Sequence, residues 1–321
     1  RPRALFVARG LRYASGTGCG PWEKMICCVG ISSRILRSEV PLMEISLLAM
    51  DLDGTALLDD HKTFSPRLRA ALDAAARKGV AIVPTTGRQY AMLPPAVHTG
   101  AAWEDLCILC SGGEIRRLRT EELLETHYIE TDVARRVMEI AAQLGQPVEL
   151  SADGQLYLTR ESWDMQREHA ESLQFHLNSI LTTRGREVSS LDTVLEQPGL
   201  ALDKINLPYV PCEQRAEAER LLTTAPISFA WSSPHSIEIT HSLATKANGM
   251  LMVCELLGVD SAHTMAIGDS DNDISMLRVA ALGVAMGSAP QEVKEAAGAV
   301  TGSNIEDGAA IAIGRYILGG Q

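Results

Sequence analysis

The chain has 321 residues, of which 46% are hydrophobic and 21% are charged, and its formal net charge at pH 7 is −11. This length and this balance predict a soluble protein of two domains. The acidic charge argues against a nucleic-acid partner or a membrane-surface role, because both favour basic patches.

Residues 1–42 differ from the rest of the chain. They contain seven basic residues and two acidic ones, and they show no sustained helical or strand period. The composition is typical of a transit peptide; alternatively, the segment is translated in error upstream of a start at Met43. We favour the second interpretation, because "MEISLLAMDLDGT" runs directly into the first predicted strand. Both interpretations exclude residues 1–42 from the fold, as a disordered or mistranslated extension.

From Met43 onwards, short apolar runs alternate with helical patterns. Leu47–Met50 predicts a buried strand. Ser65 as an N-cap, followed by Pro66, predicts the start of a helix that ends at Gly79. The runs "VAIV" and "LCILC" predict two further strands. This alternation is typical of βαβ units and a parallel sheet.

The cysteines predict packing and not chemistry. Cys107 and Cys110 form a CxxC motif within "LCILC", but no second Cys or His pair lies nearby in the chain. We therefore interpret this motif as packed core and not as a zinc or redox site. The seven cysteines have no regular spacing, which argues against a disulfide framework and favours a reduced cytoplasm. No apolar stretch approaches the roughly 20 residues that a membrane span needs.

The middle of the chain has a different pattern. An amphipathic helix over Asp132–Gly145 precedes two strand patterns around Asp153-Gly154, a pair that is typical of a hairpin turn. The segments "DKINLPYV", "ISFAW" and "SIEIT" predict further strands. Strands joined by hairpins within a parallel-sheet chain predict an inserted α+β domain. We predict a core of residues 43–128 and 242–321 and an inserted domain of residues 129–241.

The βα alternation resumes after the insertion. A helix is predicted over Lys246–Leu257, followed by the strand "HTMAIG", a helix over Asn272–Val279 and the strand "LGVAM". The predicted fold class is therefore α/β, with a Rossmann-like parallel sheet flanked by helices and an inserted α+β domain.

Polar residues follow three of the predicted core strands. Asp51 and Asp53 follow the first, "PTTGR" (Pro84–Arg88) includes the end of the second, and "AIGDSDND" (Ala266–Asp273) includes the end of a third. Ligands bind beyond the carboxyl ends of strands in open parallel sheets, so these groups are expected to meet. Carboxylates gathered in this way require a cation. Oxygen ligands favour a hard ion, and Mg²⁺ with waters and a substrate phosphate is the usual choice.

These residues carry a family resemblance. "DLDGT", the threonine of "TTGR", a lysine in "LATKANG" and "GDSDND", in that order, resemble the four motifs of the haloacid-dehalogenase (HAD) superfamily of phosphohydrolases. The large insertion between the second and third motifs resembles the C2B cap of the Cof-type branch. The resemblance extends from Met43 to Leu318 and implies a HAD catalytic core covered by a cap.

The resemblance implies a role for each motif residue. Asp51 would be the nucleophile that forms an aspartyl-phosphate, and Asp53 the general acid and base. The substrate phosphate would be bound by Thr86, Gly87, Lys246 and Asn272. The Mg²⁺ ligands would be Asp51, the backbone carbonyl of Asp53, Asp269 and Asp273, the last directly or through water.

Some of these assignments leave alternatives open. Thr85 competes with Thr86, although the position next to Gly87 matches the family better. Asp269–Asp273 also suits the N-cap of the following helix, and that interpretation is compatible with metal binding. The chain departs from the family pattern at "SGG" (Ser111–Gly113), where relatives often have Asn-Gly-Ala, and at Ser288, where relatives often have Asn. Both departures predict altered substrate contacts.

The sequence therefore predicts a Mg²⁺-dependent phosphomonoester hydrolase that acts through an aspartyl-phosphate. The expected substrate is a small phosphorylated metabolite, such as a sugar phosphate or a cofactor precursor, with neither nucleic acid nor membrane as partner. One alternative is a phosphomutase of the same fold, which would need basic groups in the insertion to hold a bisphosphate; the arginines there mean that charge alone does not exclude it. Another is a non-catalytic protein that binds a phosphorylated ligand.

Overall fold

The structure, a computed structural model, describes residues 44–173, 177 and 185–320. The expectation about residues 1–42 lies outside this part of the chain. The strands of the described residues are β1 (Leu47–Met50), β2 (Ala81–Pro84), β3 (Leu106–Leu109), β4 (Glu114–Arg117), β5 (Leu123–Thr126), β6 (Glu149–Ala152), β7 (Gln155–Leu158), β8 (Arg186–Glu187), β9 (Leu202–Leu207), β10 (Ile227–Trp231), β11 (Ile237–His241), β12 (Thr264–Gly268), β13 (Leu282–Ala285) and β14 (Ala299–Val300).

Four of the α-helices of the described residues correspond to the predicted helices. The predicted N-cap is confirmed, because the Ser65 side chain accepts a hydrogen bond from the backbone N–H of Leu68. The helices are α1 (Pro66–Arg77), α2 (Thr131–Gln143), α3 (Arg160–Glu168), α4 (Asp192–Leu195), α5 (Arg215–Leu222), α6 (Lys246–Leu257), α7 (Ile274–Val279), α8 (Gln291–Ala296) and α9 (Gly308–Ile313). The four that correspond to predicted helices are α1, α2, α6 and α7.

The core is built on a parallel sheet in the order β14-β13-β12-β1-β2. All four residues of β1 are buried, because alternate side chains enter two apolar clusters on opposite faces of the sheet. Helices α1 and α9 contribute to one cluster, and α6 and α7 contribute to the other. Burial on both faces explains why β1 is continuously apolar and does not alternate.

Strand β3 continues this sheet in a way that the sequence did not reveal. A parallel bridge between Thr85 and Ile108 places β3 beside the chain that leaves β2. On its other side β3 pairs with β4, which pairs with β5, and the three strands form a small antiparallel sheet. Cys107 and Cys110 are buried there, and burial raises the pKa of the Cys107 thiol. The interpretation of the CxxC motif as packed core is confirmed.

The inserted segment forms a second sheet, which we call the cap sheet, in the order β10-β11-β9-β6-β7-β8. The predicted turn at Asp153-Gly154 is confirmed, since both residues have positive φ and connect β6 to β7. Helices α2, α4 and α5 cover one face of the cap sheet with an apolar cluster. The bounds of the inserted domain, residues 129 and 241, remain a prediction. All six strands of the cap sheet lie between these bounds.

A β-bulge in strand β9 of the cap sheet places two consecutive side chains on the same face. Ser151 of β6 pairs with Lys204 of β9, whereas Ala152 pairs with Leu202, so Asp203 is an extra residue in β9. Such a bulge places two consecutive residues on one face of a sheet. Leu202 and Ile205 accordingly enter the apolar cluster, which leaves Asp203 and Lys204 together on the other face. Among the described residues, the structure contains no helix long and apolar enough to cross a membrane.

Candidate active site

The predicted site residues meet at the carboxyl ends of neighbouring strands. Asp51 directly follows β1, which lies between β2 and β12 in the sheet. Thr86 lies just beyond β2, and Asp269 directly follows β12. The carboxyl ends of parallel strands share one edge of a sheet, so three motifs that are far apart in the chain become neighbours.

Lys246 joins two of the predicted carboxylates. Its Nζ lies 2.6 Å from Oδ1 of Asp51 and 2.6 Å from Oδ1 of Asp273, and its side chain is 1% exposed. Lys246 is the first residue of α6, whose N-cap Thr245 accepts a hydrogen bond from the Asn248 backbone N–H. Burial lowers the pKa of Lys246, but the charges of the two carboxylates outweigh it and raise the pKa above its ordinary value. The ammonium group is therefore retained without contact with solvent.

The cluster contains more negative than positive charge. Carboxylate oxygens of Asp51, Asp269 and Asp273 all lie within 4.8 Å of one another. Burial raises the pKa of Asp51 well above its ordinary value, and Lys246 offsets this only in part because Asp273 and Asp269 also raise it. Burial and Asp273 together raise the pKa of Asp269 to about 6. Two buried carboxylates and a partly buried one beside a single ammonium group fit a divalent cation, which would stabilise their ionised forms.

The three carboxylates are not equally engaged by the protein. One oxygen of Asp273 contacts Lys246, and the other accepts hydrogen bonds from the backbone N–H groups of Asp269 and Ser270, at 2.9 and 3.0 Å. Asp269 Oδ1 accepts a bond from the Thr55 hydroxyl at 2.8 Å. Asp273 therefore holds the loop in shape, whereas Asp51 and Asp269 keep oxygen atoms that these bonds do not occupy.

Gly54 is required by the approach of its backbone to Asp269. A Cβ atom at Gly54 would lie 2.4 Å from Oδ2 of Asp269, and the residue has a φ of +75°. Both the contact and the left-handed conformation exclude an ordinary side chain. The Gly-Thr pair after Asp53 thus has a steric explanation: glycine admits the Asp269 carboxylate, and Thr55 donates a hydrogen bond to it.

The carboxylate of Asp53 lies in a different environment. Oδ2 accepts a bond from Arg88 Nε at 2.7 Å, and Oδ1 contacts Arg88 Nη2 at 2.5 Å and His61 Nδ1 at 2.9 Å. Burial raises the pKa of Asp53, but the hydrogen bonds and charge of Arg88, together with His61, outweigh it and lower the pKa below its ordinary value. The surroundings of Asp51 and Asp53 therefore displace their pKa values in opposite directions, upward for Asp51 and downward for Asp53.

Thr85 and Thr86 begin the loop after β2, residues 85–89, which we call the phosphate loop. Their hydroxyl groups have different hydrogen bonds. The Thr85 hydroxyl donates to the backbone carbonyl of Val83, within its own strand. The Thr86 hydroxyl oxygen accepts a bond from the backbone N–H of Arg88 at 3.1 Å, which leaves its proton for another acceptor. This difference supports Thr86 over Thr85. Asn272 directs its Nδ2 towards Gly87, 3.8 Å from the position that a Cβ there would occupy.

The bulged strand β9 contacts the phosphate loop. Lys204 Nζ lies 3.4 Å from the carbonyl oxygen of Gly87 and 2.9 Å from Oε1 of Glu238. Gln89, two residues beyond Gly87, donates from Nε2 to Oδ2 of Asp203 at 3.1 Å. The bulge therefore allows two consecutive cap residues to contact the loop that follows β2. Sequence patterns gave no signal for the contacts of Asp203 and Lys204 with this loop. Arg88, which contacts Asp53, could have been predicted as a site residue from its place in "TTGR".

Asp203 makes this junction sensitive to pH. Its Oδ1 is buried without a hydrogen-bond partner among the described residues. Burial, followed by the charge of Glu114, raises the pKa of Asp203 to about 7. The folded protein therefore retains a proton on Asp203 that the unfolded chain loses above pH ~4, and stability falls as the pH rises towards 7.

We expect Asp203→Asn to raise the melting temperature by several degrees at pH 8 and by less at pH 5. Asparagine has no ionised form and keeps an oxygen that can accept from Gln89, so it avoids the cost of a buried charge. Thermal melts of both proteins at the two pH values measure the effect, with the exposed Asp132→Asn as the control. An equal change at both pH values would contradict the assignment of the raised pKa to Asp203.

The fold and the site define an α/β protein that gathers three carboxylates and one buried ammonium group at the carboxyl ends of its parallel strands. A family model described as haloacid dehalogenase-like hydrolase matches residues 48–313. The chain belongs to this family. The resemblance to Cof-type HAD phosphatases, predicted from four short motifs and from the large insertion, is confirmed.

Individual relatives agree with this assignment. A 5-amino-6-(5-phospho-D-ribitylamino)uracil phosphatase of Bacillus subtilis (strain 168) is 30% identical over 277 residues, covering 86% of this chain and 97% of the relative. A pyridoxal phosphate phosphatase of Escherichia coli (strain K12) is 26% identical over 282 residues, covering 86% of this chain and all of the relative. The protein is accordingly a phosphatase of the HAD superfamily.

The solved structures show the same architecture. The sugar phosphatase BT4131, of HAD subclass IIB, superposes with a TM-score of 0.70 at 23% identity, covering 84% of this chain and 98% of that one. At this identity the likeness supports the fold alone. Phosphatases of the superfamily typically use a metal ion, and the buried cluster of Asp51, Asp269 and Asp273 fits one.

Proposed function

We propose that the protein hydrolyses small phosphomonoesters with Mg²⁺ as its metal ion and through an aspartyl-phosphate on Asp51. The observation that carries this proposal is the buried Lys246 ammonium group, shared between Asp51 and Asp273 with Asp269 close by. The Mg²⁺ ion would be held by Asp51, Asp269 and the backbone carbonyl of Asp53, with Asp273 in contact directly or through water. Bound there, it would neutralise negative charge on the phosphoryl oxygens.

The protein's own groups account for the steps of the reaction. Asp51 attacks the phosphorus atom, and the bond between phosphorus and the leaving oxygen breaks. Asp53 gives its proton to that oxygen. In the second half-reaction Asp53 takes a proton from the water that attacks the aspartyl-phosphate, and the bond between Asp51 and phosphorus breaks to release phosphate. Thr86, Lys246, Asn272 and the backbone N–H of Gly87 stabilise the negative charge of the transferring group.

Asp53 must be protonated before it can act as an acid. In the structure, Arg88 and His61 hold its pKa low, whereas burial acts in the opposite direction. Rotation of Asp53 away from Arg88 and towards the leaving oxygen would therefore raise its pKa and allow it to carry a proton. This arrangement would supply the acid in the first half-reaction and the base in the second.

The expected substrates are small phosphorylated metabolites. The named relatives act on a phosphorylated ribitylaminouracil and on pyridoxal phosphate, and the structural relative is a sugar phosphatase. A cavity of about 220 Å³ beside Lys246 is lined by polar residues such as Asn272 and by apolar residues such as Phe229. On the sequence argument from the cysteines, we also propose a cytoplasmic location.

We expect chelation with EDTA to abolish hydrolysis of p-nitrophenyl phosphate and added Mg²⁺ to restore it. Ca²⁺ should restore far less activity, because it prefers longer bonds and a higher coordination number than Mg²⁺. The measurement is the initial rate after removal of EDTA by gel filtration, with calorimetric titration of Mg²⁺ as a readout independent of activity. Full activity in the presence of EDTA would exclude the metal-dependent mechanism.

A further inference from the structure

The first of the two chain segments that join the core to the cap contains a hinge of one residue. This segment, residues 127–130, we call the first linker. The backbone N–H of His127 donates to the carbonyl of Gly113 in the core at 2.8 Å. The backbone N–H of Ile129 donates to the carbonyl of Leu202 in the cap strand β9, also at 2.8 Å. One residue therefore separates a position fixed to the core from a position fixed to the cap.

The second linker, residues 241–245, begins with a histidine that is fixed to the cap. His241 is the last residue of β11, where it pairs with Ile227 of β10. Its Nδ1 accepts a hydrogen bond from the backbone N–H of Leu243 at 3.1 Å. This bond leaves the proton of the neutral ring on Nε2, which lies 3.7 Å from Oε1 of Glu130 in the first linker.

The rings of His127 and His241 stack on each other across the hinge. Their centroids are 5.5 Å apart, their planes differ by 11°, and both residues are partly buried. One ring is fixed to the core and the other to the cap sheet. Rotation at the first linker that lifts the cap from the core would therefore separate the two rings.

Protonation acts against this stack. Burial, followed by the charge of His241, lowers the pKa of His127, and Glu125 of β5 opposes the shift only in part. A proton on His241 is favoured by Glu130, but it removes the acceptor for the N–H of Leu243, because both nitrogens of an imidazolium are donors. Two imidazolium rings at this distance would repel each other. Separation of the rings would relieve both the burial and the repulsion.

We propose that His127 and His241 form a pH-sensitive latch between the core and the cap. While the rings are neutral, they stack and hold the cap against the core; when both are protonated, they separate and the cap opens. By linkage, the open form gains population as the pH falls below about 6.5, the ordinary value for histidine. The latch is independent of the proposed reaction, because neither ring belongs to the candidate active site.

The backbone N–H of Trp231 reports opening of the cap. Trp231 belongs to the cap strand β10, and its N–H donates to Oδ2 of the core residue Asp271 at 3.3 Å. Opening breaks this bond, so the test measures hydrogen exchange of this amide by NMR at pH 7.5 and pH 5, corrected for the intrinsic exchange rate. For the whole chain without Mg²⁺, we expect its protection to be at least about 5-fold lower at pH 5. The radius of gyration from small-angle X-ray scattering should rise over the same range.

Two variants remove the titration in different ways. His127→Phe keeps an aromatic ring that cannot become charged. His241→Asn removes the ionisable ring but keeps an acceptor for the N–H two residues further on, an arrangement that asparagine commonly adopts. Both variants should lose most of the pH dependence. His98→Phe, at an exposed histidine outside both linkers, is the matched control and should keep the full effect.

The sign of the effect distinguishes the latch from other groups and from unfolding. The pKa of Asp203, raised to about 7, favours the closed cap at low pH and so acts in the opposite direction. The buried amide of Leu48 in β1 should keep its protection at both pH values. The latch is excluded if Trp231 is equally protected at both pH values, if both variants keep the full effect, or if Leu48 loses protection in parallel with Trp231.

Discussion

Asp51→Asn is expected to abolish turnover while the protein remains folded. An amide is not a competent nucleophile, and loss of the attacking group in an enzyme of this kind costs at least about 10⁴-fold in kcat. The fold should tolerate the change, because Asp51 is a buried carboxylate whose pKa is raised by burial and by two neighbouring carboxylates. An amide of the same shape removes that repulsion.

The measurement is hydrolysis of p-nitrophenyl phosphate with Mg²⁺, combined with a thermal melt. Asp132→Asn, an exposed substitution in the first turn of α2, is the matched control and should keep wild-type activity. Acid quench of the wild-type reaction should trap phosphate on the protein, and the Asp51→Asn protein should trap none. Retention of most of the activity by Asp51→Asn would rule out the covalent mechanism.

Lys246→Met is expected to reduce both activity and stability. Methionine has a similar length but no charge, so Asp51 and Asp273 would remain buried without the ammonium group that now lies 2.6 Å from each. Removal of one partner from a buried ion pair costs about 3–5 kcal/mol in the free energy of unfolding. At roughly 2–4 °C per kcal/mol for a chain of moderate size, the melting temperature should fall by about 10 °C.

The kinetic effect of Lys246→Met should be a loss of roughly 10²–10³-fold in kcat, the range found when a preorganised charge or donor is removed from a transition state. Mg²⁺ should recover part of the lost stability, because it supplies positive charge to the same cluster, but it should not recover kcat. Lys62→Met, at an exposed lysine, serves as the control. An unchanged melting temperature would show that the two carboxylates do not depend on Lys246 for their charge balance.

The motif residues could be found from the sequence because their signals are local. Asp51 and Asp53 follow an apolar run of four residues, and Gly54 and Thr55 follow them directly. Each signal requires only a strand end and a few neighbouring residues, and strand ends are predictable from hydrophobic runs. The parallel sheet then brings the motifs together without any further information.

The surroundings of those residues depend on pairings that no local pattern encodes. The sequence predicted Asp53 as a general acid and base. Its contacts with Arg88 and His61 could not be predicted, because they depend on the paths of the loops that contain these two residues. In the same way, the small sheet of β3, β4 and β5 escaped prediction, because its strands are short and its pairing is antiparallel beside a parallel sheet. The direction of the Asp53 pKa shift therefore became known only with the structure.

By itself, the sequence predicted the class of fold, the main strands and helices of the core, and the candidate carboxylate, threonine and lysine residues of the site. These follow from short-range hydrophobic periodicity and from motifs a few residues long. Only the tertiary structure decided that Lys246 lies between Asp51 and Asp273, 195 and 27 residues away in the chain. It alone decided that one extra residue in β9 turns both Asp203 and Lys204 towards the phosphate loop, because the register of a sheet is set by strands that are distant in sequence.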